Sequence, residues 1–209
     1  MAGIEKERIN HRAHKYFEAQ AHNHHKKTNN NQVHDRHLSV LTEISFYRYE
    51  AVLDVGCGTG SLLLRIPGRK GLALAGVDFS PKMLDIAREQ VGHKADLRHG
   101  DSGSLPWEDD CFDMVLCADS FHYYPRPQAV LSEMRRVLKP KGRLIIAEPW
   151  FVWPLRKLIN LLLPLDHSGR IKIYSEEEFA AMLTEAGFES VKWREASKNA
   201  CVVSAQCIK

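Results

Sequence analysis

With 209 residues, 44% of them hydrophobic and 26% charged, the chain has enough apolar material for one sizeable domain and a small appendage. A formal net charge of +3 is too mild to argue for nucleic acid, although it does not hinder an anionic ligand. The N-terminus lacks the apolar core of a signal peptide, and the most apolar window, residues 150–165, is shorter than a bilayer span and broken by Pro154, Arg156, Lys157 and Pro164, so no integral membrane segment is expected.

Residues 1–50 differ from the rest and read as an N-terminal helical, histidine-rich lid segment. His11, His14, His22, His24, His25, His34 and His37 all fall here. The run from His22 to Gln32, with Lys26-Lys27 and Asn29 to Asn31, has little to bury and reads as a loop. Helical periodicity precedes it (Ile9–Ala21) and follows it (Val33–Tyr47, with Val40, Leu41, Ile44 and Tyr47 on one face). His11/His14 and His34/His37 are spaced to share a helix face. No cysteine or carboxylate completes a ligand set with them, so the segment reads as solvated and no metal is expected.

From residue 51 strands and helices alternate, and 51–209 forms the remaining, main unit of a single domain. Strand Ala51–Val55 carries an acid, Asp54, and runs into Gly56-Cys57-Gly58-Thr59-Gly60. Glycine at every second position leaves no side chain between the backbone and a ligand lying over the turn, and lets the chain bend at positive φ. A short helix is expected from Ser61. Strand Leu72–Val77 leads to a second acid, Asp78, the ribose-binding layout of a nucleotide fold. Helix Pro81–Val91 follows, with Ser80 as N-cap and Pro81 at the first helical position.

Strand Ala95–His99 ends in Gly100-Asp101. Strand Phe112–Ala118 is followed by a helix from Gln128 to Leu138, and Pro140-Lys141-Gly142 turns into strand Arg143–Ala147. Ser175-Glu176-Glu177-Glu178 is a capping box opening helix Glu176–Ala186, which Gly187 stops. Strands Ser190–Glu195 and Ala200–Ile208 suit an antiparallel hairpin. The alternation predicts an α/β, doubly wound, mostly parallel seven-stranded Rossmann-like sheet closed by that hairpin. Cys57, Cys111, Cys117, Cys201 and Cys207 form no CxxC pair and lie mostly in apolar runs, as reduced buried thiols of a cytoplasmic protein would.

Dinucleotide folds use G-x-G-x-x-G. Here the third glycine comes one residue early, and Ser61 holds the sixth position. Asp54, so close to the turn, would repel a pyrophosphate and suit a ligand with a cationic amino-acid end. S-adenosylmethionine, with an ammonium, a sulfonium and one carboxylate, fits better than NAD.

On these residues the chain resembles the class I S-adenosylmethionine-dependent methyltransferases, in the small-molecule group of the ubiquinone/menaquinone-biosynthesis type. The resemblance covers residues 50–190 and rests on five motifs in order: Val52–Gly60, Gly76–Ser80, His99–Ser102 with Leu105-Pro106-Trp107, Phe112–Val115 through Tyr124, and Leu138–Leu144. It implies that Gly56, Gly58 and Gly60 lie against the methionine part of the cofactor and that Asp54 orients its amino group. Asp78 would accept both ribose hydroxyls with two free oxygens. Phe79 and Met83 would pack on the adenine, with Asp101 and the Ser102 amide at its exocyclic amine. Ala118, Asp119 and Ser120 would line the sulfonium. The resemblance also implies an N-terminal lid over the cofactor, where Tyr16 and Phe17 would contribute aromatics.

Asp119 and His122 are the candidates for catalysis, because strand C-termini face the ligand crevice in this architecture. The plainer reading of His122 is that it simply caps the next turn. Residues 150–165 read either as an apolar acceptor pocket or patch, or as a helix packed on the core. No Asn/Asp-Pro-Pro-Tyr/Phe motif follows the fourth strand, which weighs against methylation of base or glutamine amines. The function expected is methyl transfer from S-adenosylmethionine to a small apolar or aromatic acceptor. A non-catalytic cofactor-binding protein and an NAD(P)-dependent oxidoreductase are the alternatives.

Overall fold

The computed structural model describes residues 15, 16, 18, 19, 31–166 and 168–209. Helix α1 spans Asn31–Ile44, β1 Ala51–Val55, β2 Ala73–Asp78, α2 Pro81–Val91, β3 Ala95–His99 and β4 Phe112–Ala118. Then come α3 (Pro127–Val137), β5 (Leu138–Pro149), α4 (Trp153–Leu162), α5 (Glu176–Glu185), β6 (Phe188–Ser197) and β7 (Ala200–Cys207).

One seven-stranded sheet results, in the order β3-β2-β1-β4-β5-β7-β6. β1 to β5 pair in parallel, while β7 lies antiparallel between β5 and β6. The chain winds outward from β1 through β2 to β3, returns to β4 and winds the other way. The topological switch, where such sheets hold ligands beyond their strand C-termini, therefore falls between β1 and β4.

The central strands are buried on both faces, and alternate residues feed two cores. Leu53, Val55, Val115, Cys117 and Ile146 pack with Leu131 and Met134 of α3 and Phe179 and Leu183 of α5. Val52, Met114, Leu116, Ile145 and Ala147 pack with Val40 and Ile44 of α1 and Leu84 and Val91 of α2. Caps fix the helix starts. Ser80 Oγ accepts from the Met83 amide at 3.3 Å, and Ser175 and Glu178 form both halves of the capping box. Each such cap contributes about 1 kcal/mol. All five cysteines are free thiols, four of them buried.

The structure departs from expectation in several places. After the glycine turn there is only a 3-10 turn, Leu63–Arg65, because Pro67 holds Ile66 extended (ψ 122°) and ends the winding. Pro140-Lys141-Gly142 does not separate two elements. It is a bulge inside β5, where the register with β4 jumps from Phe112↔Leu138 to Met114↔Arg143 and Lys141 takes φ 66°. Helix α1 starts at Asn31, inside the expected loop, and ends at Ile44, so Tyr47 lies beyond it with the Arg143 guanidinium over its ring. The expected helix Ile9–Ala21, most of the loop His22–Gln32, the His11/His14 pair and Phe17 lie outside the described residues, although residues 15, 16, 18 and 19 are helical.

Helix α4 is not packed on the core: none of its residues is buried. No helix among the described residues is long and apolar enough to cross a membrane.

Candidate active site

Gly56, Gly58 and Gly60 all take positive φ (76°, 52° and 76°), so the turn between β1 and the first 3-10 turn requires glycine for its backbone. Space gives a second reason at two of them. A Cβ on Gly56 would stand 2.5 Å from Ser120 Cβ, and one on Gly60 would stand 2.5 Å from Val91 Cγ2. At Gly58 a Cβ would meet nothing within 4 Å. The turn is braced below by Ser120 and α2 and open above Gly58. Thr59 Oγ1, in the same turn, is buried without a hydrogen-bond partner.

Two acids flank the turn. Asp54 is 2% exposed, and burial pushes its carboxyl up to about 8, with the neighbouring Asp78 adding repulsion. Asp78, also buried, accepts from the Gly58 amide at 2.8 Å and the Ser80 amide at 2.9 Å, one on each oxygen. Its oxygens are therefore not free, as the sequence reading had them. An ionised carboxylate has roughly four acceptor positions, so two remain for a ligand. Burial raises the Asp78 pKa, and those amides oppose the shift. Among the described residues neither acid forms a salt bridge.

The remaining expected contacts lie along the same edge. Phe79 is half-buried, and its carbonyl lies 3.0 Å from His99 Nε2. Met83 is 1% exposed and belongs to neither core cluster. Asp101 is exposed. Its Oδ1 caps the turn by accepting from the Gly103 amide at 2.8 Å, and its Oδ2 lies 3.9 Å from Arg126. Ser102 beside it is half-buried.

Beyond β4, Ala118 is buried and Asp119 stands at φ 59°. Asp119 Oδ1 pairs with the Arg36 guanidinium of α1, while Oδ2 is buried without a partner. Burial lifts its carboxyl to about 6, against the pull of Arg36. Ser120 Oγ donates to the Val55 carbonyl at 3.0 Å and accepts from Tyr124 OH at 3.1 Å, so Ser120 bolts β4 to β1.

His122 is buried, and Glu148 at the end of β5 holds it. Glu148 Oε1 accepts from the Ser120 and Phe121 amides at 3.0 and 2.8 Å. Its Oε2 accepts from the His122 amide at 3.2 Å and contacts His122 Nδ1. This arrangement selects the tautomer with its proton on Nδ1 and leaves the Nε2 lone pair for another group. The Tyr123 ring packs against the imidazole at 4.2 Å.

Sequence reasoning missed Glu148 and Arg36. Glu148 carries the same mark that singled out Asp54 and Asp78, an acid at the C-terminal end of an apolar strand. Arg36 carries no such mark. Glu18 was missed as well; it accepts from Ser80 Oγ at 2.7 Å and lies 3.2 Å from Lys82 Nζ, tying the N-terminal segment to the start of α2.

The methyltransferase-domain profile matches residues 53–146, from β1 into β5. The demethylmenaquinone methyltransferase of Tropheryma whipplei is 33% identical over 168 residues, 71% of this chain and 70% of that one. Among solved structures, the methyltransferase of a complex with the Trm112 methyltransferase activator from Haloferax volcanii superposes with a TM-score of 0.77 at 19% identity, covering 92% of this chain and 98% of that one. An S-adenosylmethionine-dependent methyltransferase of Thermotoga maritima gives 0.72 at 21% identity, covering 92% and 99%. At these identities the two structures speak for the fold alone.

Proposed function

This chain belongs to the class I S-adenosylmethionine-dependent methyltransferases, and from that membership we propose that its β1–β4 crevice holds the cofactor and delivers the methyl group to a small apolar, aromatic acceptor. One observation carries the cofactor reading. Two buried carboxyls, Asp54 and Asp78, stand without a salt-bridge partner among the described residues, on either side of a glycine turn that is open above Gly58.

An ammonium group next to Asp54 would replace the missing counter-charge. Asp78 would take the ribose hydroxyls on its two remaining acceptor positions. Phe79 and Met83 would flank the adenine, with Asp101 Oδ2 and the Ser102 amide at its edge. The unpartnered Asp119 Oδ2, beside Ala118 and Ser120, would face the sulfonium. Residues 1–50 are proposed as a lid; the reach of Glu18 to Ser80 and Lys82 and of Arg36 to Asp119 supports that reading.

When bound, S-adenosylmethionine supplies an activated methyl carbon, so the protein's task is largely to position the acceptor. His122 adds proton removal. With Nδ1 bound to Glu148, Nε2 can accept a proton from an acceptor hydroxyl and make the acceptor nucleophilic. Glu148 stabilises the imidazolium that forms and keeps the ring oriented. The names of the curated relatives point to demethylmenaquinone as their acceptor, and a reduced quinol has the hydroxyl that His122 would deprotonate.

The test is release of S-adenosylhomocysteine with reduced demethylmenaquinone and with a soluble naphthol as acceptors. Turnover that falls about 10²–10⁴-fold in His122→Gln, with cofactor binding intact, is the expected result. No turnover with either hydroxyl acceptor, alongside turnover of an amine, would overturn the acceptor class.

A further inference from the structure

Arg36 and Asp119 bring two opposite charges to one end of the crevice. Asp119 follows β4 at φ 59°, a left-handed conformation that residues other than glycine rarely adopt. Its amide donates to the Ala147 carbonyl at 3.0 Å, so β5 fixes the bend. Oδ1 pairs with the Arg36 guanidinium, and the two side chains are 23% and 7% exposed. Among the described residues Asp119 is the one ion-pair partner of Arg36, and Asp119 Oδ2 has no hydrogen-bond partner. Glu148 and His122 stand close enough for their charges to act on Asp119. Glu148 is already engaged by three amides and by His122 Nδ1. The pair therefore has no net charge but keeps one anionic oxygen unused.

Asp119 sits between the glycine turn and His122. A Cβ on Gly56 would stand 2.5 Å from Ser120, the next residue, and His122 lies three residues along. With the ammonium at Asp54 and the ribose at Asp78, the sulfur lies over this turn with its methyl toward His122. Resting on that cofactor placement, we propose that Asp119 sets the preference for the methyl donor over its demethylated product, with Arg36 as the positioning residue that holds it at the sulfur. Methyl transfer breaks the sulfur–methyl bond and leaves its electron pair on sulfur. The acceptor oxygen forms the new bond to carbon, and its proton goes to His122. The sulfonium thereby becomes a neutral thioether. A carboxylate oxygen at the sulfur attracts the cation and not the thioether, so the donor is held and the product is released in exchange for fresh donor.

A pin that merely fastens α1 to β4 would account for the ion pair alone. A guanidinium can bind both oxygens of a carboxylate in a fork. Here Oδ2 is left out, and a buried oxygen without a partner is unfavourable unless a ligand supplies one.

A ratio of two affinities tests it. S-adenosylmethionine and S-adenosylhomocysteine share the ammonium, carboxylate, ribose and adenine, so their affinity ratio cancels what the crevice does for those groups and any general damage to the fold. Calorimetric titrations with each ligand are run at pH 8, above the value of about 6 to which burial lifts Asp119 against the pull of Arg36. Asp119→Asn keeps the shape and an acceptor oxygen for Arg36 but leaves the guanidinium charge uncompensated. It should cut the preference for S-adenosylmethionine over S-adenosylhomocysteine at least about tenfold, chiefly by weakening S-adenosylmethionine. The double variant Arg36→Gln, Asp119→Asn removes the stranded cation and should regain at least about threefold of that preference. Both ligands weakened alike in Asp119→Asn, with the ratio unmoved, would make the pair a structural pin and overturn this proposal while leaving the cofactor placement intact. A double variant that discriminates no better than Asp119→Asn would do the same. A wild type that binds neither ligand would overturn the cofactor placement and this proposal with it.

Discussion

Replacing Asp54 by asparagine removes one ionisable proton from the crevice and almost nothing in volume. Burial and the charge of Asp78 push the Asp54 carboxyl up to about 8. At pH 7 about nine-tenths of the molecules therefore carry that proton, and removing it costs about 1.4 kcal/mol. An ammonium arriving beside Asp54 favours the carboxylate, so binding expels the proton. Calorimetry of S-adenosylmethionine binding in two buffers of different ionisation heat counts the protons released. Wild type minus Asp54→Asn should give about 0.9 proton at pH 7, about 0.5 at pH 8 and about 0.1 at pH 9.

The same carboxyl sets a stability trend. Its folded pKa lies above the unfolded value of 3.8, so its contribution is complete below 3.8 and is lost as pH rises toward about 8. The ligand-free variant should therefore gain on the wild type in unfolding free energy between pH 5 and pH 8. Equal proton counts in the two proteins, or a wild type that gains on the variant over that range, would refute the assignment.

Glu148→Gln should do two things at once. It strands hydrogen bonds to His122 worth about 2–4 kcal/mol, lowering the midpoint of thermal unfolding by roughly 5–15 °C. It also turns the imidazole tautomer so that Nε2 carries the proton, and turnover should fall more than cofactor affinity. Gly56→Ala forces a Cβ into Ser120 at φ 76° and should cost more than about 1 kcal/mol in urea unfolding, with S-adenosylmethionine binding weakened in parallel. His37, buried near Arg36 and Arg65, is held down to about 4 against 6.5. Its contribution is present above 6.5 and is lost as pH falls to about 4. His37→Leu should thus lose about 3 kcal/mol less than the wild type between pH 7 and pH 4, measured by urea unfolding at each pH.

Much of this fold is legible in the sequence. Local signals placed β1, α2, β3 and β4 at the residues observed, because glycine, proline and capping residues mark those boundaries physically. The antiparallel return of β7 followed from hairpin spacing. What was not legible depends on contacts through space. The short helix expected from Ser61 is only a 3-10 turn because Pro67 outweighs the pattern before it. Pro140–Gly142 became a bulge because β4 offers β5 a partner on both sides of it. Arg36 meets Asp119 only after α1 has folded across the sheet. Glu148 was within reach, since the acid-at-strand-end logic that found Asp54 and Asp78 applies equally to it. The outward leucine face of α4 could not be told from a core face, because sequence periodicity reports that a face is apolar and not which way it points.

The most direct measurement is a calorimetric titration of the purified chain with S-adenosylmethionine and, separately, with NAD. One S-adenosylmethionine per chain and no NAD is the predicted result. Asp78→Asn, which keeps one of the two carboxyl oxygens, should weaken that binding by about 1–3 kcal/mol, roughly 5- to 150-fold. Binding of NAD by the wild type, or equal S-adenosylmethionine affinity in wild type and Asp78→Asn, would contradict the placement of the cofactor between Asp54 and Asp78.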